Sequence, residues 1–338
     1  MPNLTSLELE QTAQPAKSSP SSETPVPPLF QSVSKLKSLH LTRTPLYPAV
    51  FSITSLVELK LVGYTTLFHL VKFIGFLRSN PDLEVIVLDV RFVKELFCFL
   101  SATRIVPLAH LRELSFTCAD ASDAKELISS ISFPRGIFLE LSGHQTNQAG
   151  LGPFLPSPTR IGELLTPITT IKYSATPRLL QLSGNNSSFS FRYPKPPSNL
   201  YQDLSLFTTT TVREFHVAIG PCRENLFQPL SLLPALETLV LANILFFPAQ
   251  GLAFLADEPV LCPSLKTIAF FDCNVTPAVI KELETVVARR KNSTAAWLYR
   301  IVIVRRSGAL PDHTLIRELR QYVPCVDARI DEKLPDLS

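Results

Sequence analysis

Apolar residues along this chain fall repeatedly into one frame, with large apolar side chains at its first, fourth and sixth positions and mixed residues between. The frame reads Leu4-Leu7-Leu9, Leu36-Leu39-Leu41, Leu56-Leu59-Leu61, Leu83-Ile86-Leu88 and Leu111-Leu114-Phe116. After a blurred middle it returns as Val212-Phe215-Val217, Leu236-Leu239-Leu241, Leu265-Ile268-Phe270 and Leu298-Ile301-Ile303. Residues two apart on a strand share a face, so each frame predicts a short strand with one buried side. Helical spacing appears between frames: Leu67, Leu70, Val71, Ile74 and Leu77 precede the stop signal Ser79-Asn80-Pro81. Ser122 stands as an N-cap ahead of Glu126, Leu127, Ile128 and Ile131. Further helices are predicted over 93–100, from Pro277 to Arg290 and from His313 to Tyr322, with a closing strand over 323–330.

A single hexamer of this kind is weak, since any buried strand produces one. Nine of them, mostly 20 to 33 residues apart, predict a leucine-rich repeat, whose unit is a strand plus a return helix or turn. The fold expected is therefore α/β: an irregular leucine-rich-repeat solenoid with a curved parallel sheet and outer helices or turns. One array is expected over 1–338, interrupted by a disordered Pro/Ser-rich insert at 10–28. Irregular repeats with long loops are expected over 145–200, where Ile168-Ile171-Tyr173 and Phe189-Phe191-Tyr193 alternate without an obvious return helix. Residues 307–338 are expected to form a C-terminal cap and tail, hiding the last apolar face.

Indexing the frames also predicts which side chains face away from the core. In the early repeats these are Ser38, His40 and Thr42; Glu58, Lys60 and Val62; Val85, Val87 and Asp89; Glu113, Ser115 and Thr117, a mostly polar set. In the late repeats they are Thr238, Val240 and Ala242; Thr267, Ala269 and Phe271; Arg300, Val302 and Val304. The fifth and seventh positions there are all apolar. Two explanations stand for that strip. It binds a partner, with Phe271 as the anchor, or it is hidden, either covered by one of the chain's own segments, such as Pro194 to Leu200 or the C-terminal tail, or turned inward by a one-residue slip of register that exchanges the two faces. The candidate partner-binding residues are Val240, Ala242, Thr267, Ala269, Phe271, Arg300, Val302 and Val304, with His216 at the same outward position of its own frame.

Composition narrows the function classes. The chain is 46% hydrophobic and 18% charged, with a net charge of +3, too mild for a nucleic-acid or anionic-membrane partner. Six cysteines (98, 118, 222, 262, 273, 325) form no C-x-x-C pair, which predicts buried free thiols in a reducing compartment. No secretory signal opens the sequence and no apolar run is long enough to span a bilayer, so a cytoplasmic or nuclear location is expected and the Asn-x-Ser/Thr sequons are chance matches. Phosphate-binding, nucleophile-elbow and zinc-protease motifs are missing, so neither a catalytic residue nor a cofactor or metal is expected. The basic cluster Arg289-Arg290-Lys291, with Arg300, Arg305 and Arg306, is read first as cations at a helix C-terminus.

The sharpest unit is Leu265-Ile268-Phe270-x-x-Cys273-x-Val275-Thr276, followed by Ile280, Leu283 and Val287. A Cys in the ninth position and a helix-starting Thr resemble the cysteine-containing repeat of F-box/leucine-rich-repeat proteins. The phrases Leu36-Lys37-Ser38-Leu39-His40-Leu41, Phe76-Leu77-Arg78-Ser79-Asn80-Pro81-Asp82-Leu83-Glu84 and Leu261-Cys262-Pro263-Ser264-Leu265-Lys266 are similar to members of that family from mushroom-forming fungi. The resemblance implies a protein target held by the repeats and a Skp1-type adaptor held by an N-terminal F-box, joining the target to a ubiquitin ligase. Leu4 already stands in a repeat frame and no Leu-Pro-x-Glu-led helical module precedes it, so the adaptor is expected as a partner only if an F-box is encoded upstream. The alternative is a stand-alone leucine-rich-repeat scaffold unrelated to ubiquitin.

Overall fold

The computed structural model describes residues 4–10, 35–44, 48–63, 67–93, 105–143, 150–156, 165–184, 186–195, 199–218, 228–244, 252, 255, 261–306, 310–311 and 313–331. Of the insert expected over 10–28 only Glu10 is among them. The helix expected over 93–100, much of the 145–159 loop and the tail beyond 331 also lie outside the described residues.

The strands are β1 (Ser6–Glu10), β2 (Ser38–Thr42), β3 (Glu58–Val62), β4 (Leu67–His69), β5 (Val85–Asp89), β6 (Arg91–Val93), β7 (Val106–Pro107), β8 (Glu113–Cys118) and β9 (Ile131–Ser132). They continue with β10 (Phe138–Gly143), β11 (Ile168–Ser174), β12 (Leu179–Gly184), β13 (Ser187–Arg192), β14 (Glu214–Ala218), β15 (Thr238–Ala242), β16 (Thr267–Phe271), β17 (Arg300–Arg305) and β18 (Cys325–Ile330). Helices among the described residues are α1 (Leu70–Ser79), α2 (Ala121–Ser129), α3 (Leu200–Leu204), α4 (Pro277–Lys291) and α5 (His313–Tyr322). The fold is mixed α/β, with a large, mostly parallel sheet and few helices.

The chain divides into two compact units. The first comprises residues 1–164 with 186–189, the second 165–185 with 190–338. In the first, parallel strands lie in the order β1-β2-β3-β5-β8-β10. In the second the order is β12-β11-β14-β15-β16-β17-β18, with every neighbouring pair parallel except β11 and β12.

Within each unit the frames pair position for position. Leu39 lies against Leu59 and Leu59 against Ile86, and likewise Leu239 against Ile268 and Ile268 against Ile301. All of these side chains are buried. The backbone repeats as strictly as the side chains. The carbonyl at position two of one frame accepts from the amides of positions two and three of the next: Thr5 from Lys37 and Ser38, Lys37 from Val57 and Glu58, Arg213 from Glu237 and Thr238, Lys266 from Tyr299 and Arg300. A tight turn leads into many frames, closed by Leu111 N–H to Leu108 O, Leu236 N–H to Leu233 O and Leu265 N–H to Cys262 O. Position eight is left-handed at Arg43, Gly63, Asn243 and Asp272, with φ of 53°, 73°, 55° and 52°. There the amides of Arg43, Asn243 and Asp272 bond to the position-seven carbonyls of Val62, Phe271 and Val304.

The middle region departs from the long turns expected. β11 and β12 are joined by four residues and pair antiparallel, Tyr173 opposite Leu180 and Ile171 opposite Leu182. Gly184 is required at this hairpin, because a Cβ there would lie 2.2 Å from the Pro167 carbonyl oxygen.

Two buried polar side chains hold the turns of their units. Asn80 donates to the carbonyls of Ile53 and Phe76 at 2.8 and 3.0 Å and accepts from Leu56 N–H at 2.9 Å, filling with one amide the place other frames give to a leucine. Arg290, expected among the cations at the end of α4, is completely buried. Its guanidinium donates to the carbonyls of Leu261, Cys262, Pro263, Leu265 and Ala296 at 3.0 to 3.3 Å. That fork fastens α4 to the turn preceding β16. We predict that Arg290→Met destabilises the protein by on the order of 3 kcal/mol or more, because several buried carbonyls lose their donors. Arg289→Met, at an exposed neighbouring position, should change stability by less than about 0.5 kcal/mol. Urea unfolding midpoints of the two variants check this, and similar midpoints would rule it out.

Candidate functional site

The face of each strand turned away from the leucines carries the residues able to meet a partner. In the first unit the strands β2, β3, β5 and β8 alternate strictly, with the outward positions half-buried and the inward ones buried. Pairing aligns Glu8, His40, Lys60, Val87, Ser115 and Glu140 in one row. Ser38, Glu58, Val85, Glu113 and Phe138 form the next. Glu58 is the hub: its carboxylate accepts from Lys60 Nζ at 2.6 Å and Ser38 Oγ at 2.9 Å and lies 3.2 Å from His40 Nε2. Lys60 first, then Ser38 and His40, hold its pKa down, from the ordinary 4.5 to about 2, against the opposing effect of burial.

The second unit behaves differently. Register is the one the frames predict, Thr238 opposite Thr267 and Thr267 opposite Arg300, so no slip has exchanged the faces. Yet the late strip does not lie open to solvent as a binding strip requires. Val240, Ala242, Ala269, Val302 and Val304 are all buried, and β15 to β17 are buried on both faces through their centres. Val240, Ala269, Val302 and Val304 form an apolar cluster, and Phe271 packs against it. The reason is lateral. Ala269 stands between Val240 and Val302 on the neighbouring strands and Phe271 between Ala242 and Val304, while Asp327 and Arg329 of β18 flank Val302 and Val304 on the other side. Phe271 is thus part of the cover, half-buried itself. Thr267 is half-buried and Arg300 exposed at the strand starts.

His216, Val240 and Ala242 do come together. They line a pocket of about 190 Å³ with Lys172 and Ser174 of β11, Leu179 and Gln181 of β12, and Ala218 of β14. His216 Nε2 lies 3.5 Å from Glu214 Oε2, while its Nδ1 is buried with no hydrogen-bond partner among the described residues. Burial, then the charge of Lys172, lower its pKa, against the upward pull of Glu214. The β11 and β12 contributions were not legible in the frames, because this hairpin does not follow them. Period-two alternation in Ile168-Ile171-Tyr173 was the available signal.

Two exposed aromatics also escaped the frame reading. Trp297 and Tyr299 flank Leu298 and are 60% and 61% exposed. The Lys291 ammonium sits 5.5 Å from the Trp297 ring centre. They were legible only as apolar residues outside the inward positions.

The described cysteines are free thiols. Cys273 sits where the sequence placed it, at the turn after β16, with Sγ 3.2 Å from Leu241 O and 3.4 Å from Phe271 O. Burial pushes the thiols of Cys118, Cys262 and Cys273 up to about 12. Among the described residues no cluster of three or more His, Cys, Asp or Glu could hold a metal ion, and no helix is long and apolar enough to cross a membrane.

Three outcomes follow. Val302→Asp should cost several kcal/mol of stability, on the order of 3, because it buries a carboxylate in an apolar cluster. Arg300→Ala should cost less than about 0.5 kcal/mol. Equal unfolding midpoints would mean that the strip is open. Iodoacetamide at pH 8 should label the half-buried Cys325 well before Cys118, Cys262 or Cys273, read by peptide mass mapping; early labelling of Cys273 would contradict its burial. Finally, since the folded pKa of Glu58 is depressed, its stabilisation is complete above pH 4.5 and disappears as pH falls through 2. At neutral pH it amounts to no more than about 1 kcal/mol, because the cluster is partly solvated. The stability difference between wild type and Glu58→Gln, followed from pH 7 to pH 2, should narrow over that window. A constant difference would contradict it.

No protein-family model matches the sequence, and comparison with curated proteins finds no match.

Proposed function

We propose that this chain is a non-catalytic protein-binding module, an irregular leucine-rich-repeat solenoid resembling the substrate-recognition part of an F-box ubiquitin-ligase receptor. The observation that carries the reading is the recurrence of one turn chemistry at fixed frame positions in both units. Position two accepts twice, and position eight turns left-handed at Arg43, Gly63, Asn243 and Asp272. Units that repeat in backbone as well as in side chains stack by adding strands, and what they offer is surface. The partner face on this reading is the pair of polar rows of the first unit, His40, Lys60 and Glu140 in one and Glu58 and Glu113 in the other. A mild net charge favours a protein target over nucleic acid, and buried free thiols suit the cytoplasm or nucleus.

The test uses the whole chain as bait beside a Lys60→Glu/Glu113→Lys variant of equal stability. A saturable protein partner captured by the wild type and reduced at least about tenfold by the variant is expected, since charge reversal in an interface costs more than 1.4 kcal/mol. A partner indifferent to the variant, or none, sinks the reading. Gel filtration with a purified Skp1-type adaptor separates the two forms of the proposal: co-elution supports a ligase receptor, and its failure beside intact target capture supports the stand-alone scaffold.

A further inference from the structure

Among the described residues β18 ends the sheet of the second unit: β17 pairs with one of its edges and no strand with the other. In a parallel pair, alternate residues turn their backbone groups to the neighbouring strand. Cys325 N–H bonds to Tyr299 O and Asp331 N–H to Arg305 O, so the odd-numbered residues of β18 face β17. Val326, Ala328 and Ile330 therefore direct both N–H and C=O away from the sheet. Sheet edges are commonly blunted by proline, a bulge or an inward-pointing charge. β18 has none of these, and it runs in unbroken register from Cys325 opposite Arg300 to Ile330 opposite Arg305. Arg320 of α5 donates to Val326 O at 3.3 Å, but a carbonyl oxygen has two lone pairs and can accept a second N–H, as Thr5 O does. At the end of the strand the apolar Ile330 is 52% exposed.

We infer that β18 pairs antiparallel with β18 of a second copy of this chain, about a two-fold axis through Ala328. Joining the same edge of two copies with their outward faces on one side requires a two-fold axis normal to the sheet, and that makes the strands antiparallel. The charges then choose the register. Centred on Asp327, the pair would set two carboxylates opposite each other, and centred on Arg329, two guanidiniums. Centred on Ala328, Asp327 of each copy stands opposite Arg329 of the other. These are the positions between backbone bonds, where the side chains of opposed strands come closest. Asp327 and Arg329 already pair within the strand, Oδ2 to Nη1 at 3.1 Å, on the face that carries Val302 and Val304. In the same register Ala328 exchanges both backbone bonds with its counterpart, and Val326 exchanges both with Ile330 of the second copy. The exposed Ile330 thereby gains an apolar neighbour. This interface lies on the second unit and does not depend on the partner face proposed for the first.

The experiment is sedimentation velocity of the full chain from about 1 µM to about 500 µM, the range in which a small interface associates. A reversible monomer–dimer equilibrium is expected. Arg329→Asp and Asp327→Arg each place like charges opposite one another twice over, by symmetry, and should raise the dissociation constant at least about tenfold. The double variant Asp327→Arg/Arg329→Asp re-forms both ion pairs with the roles exchanged and should return it to within about threefold of the wild-type value. Ala328→Pro removes an outward N–H without touching a bond to β17 and should abolish the dimer. Should that variant fail to fold, the charge reversals and their rescue decide the matter alone. A monomer at every concentration, a double variant no better than the single ones, or a dimer indifferent to Ala328→Pro in a folded chain would overturn the inference. So would assemblies that keep growing beyond two copies, as head-to-tail joining of different edges produces.

Discussion

The doubly accepting carbonyl at position two is the contact on which the rest of each unit depends. Many frames begin by leaving a turn, and a turn exposes backbone groups that a buried chain has to satisfy. Lys37 O takes the amides of both Val57 and Glu58, as Thr5 O takes those of Lys37 and Ser38 and Lys266 O those of Tyr299 and Arg300. This shared acceptor brings each new strand in at one height. Positions four and six then meet their counterparts, Leu39 with Leu59 and Leu239 with Ile268. A slip of one residue would turn the leucines outward, so the hydrophobic frame and the backbone bonds enforce the same register from two sides.

Where leucine cannot close a turn, polar side chains take over the same task. Asn80 serves both the carbonyl of Ile53 and the amide of Leu56, 27 and 24 residues away. Arg290 gathers the carbonyls before β16 from the far end of α4. Cys273 reaches Leu241 O on the neighbouring strand with a weak donor small enough for the inward turn. A charge as buried as that of Arg290 persists because five carbonyl oxygens replace its water, each placed by a turn that would otherwise leave it unmet. The cation-at-a-helix-end reading therefore holds for its exposed neighbour Arg289 but not for Arg290.

The two units spend their outward faces differently. In the first, Glu58, Lys60, His40 and Ser38 neutralise one another in a half-solvated network, a surface that is polar yet fixed in geometry. In the second, Val240, Ala269, Val302 and Val304 pack together under Phe271, so the face that sequence logic offered to a partner is structural over most of its width. At its border with the β11–β12 hairpin a pocket opens, lined by His216 and Lys172.

The sequence by itself determined the strands of the nine frames and their inward residues, because period two and a repeated frame mark one face of each; the register of the late strip, where a slip stood open, was decided by the structure. The sequence also determined α5 and the closing strand β18, where amphipathic spacing is plain. It could not determine exposure on the outward face. Alternation says which way Val302 points but not that Ala269 and Val240 join it in one cluster with Phe271 packed against it, since that depends on residues brought together from different frames. Nor could it reveal the antiparallel β11–β12 pair, whose four-residue turn and required Gly184 break the frame, or the pocket that this hairpin builds against β14 and β15. Those were decided by tertiary structure, because packing and solvation are properties of neighbours in space, and the periodicity of a chain reports only its neighbours in sequence.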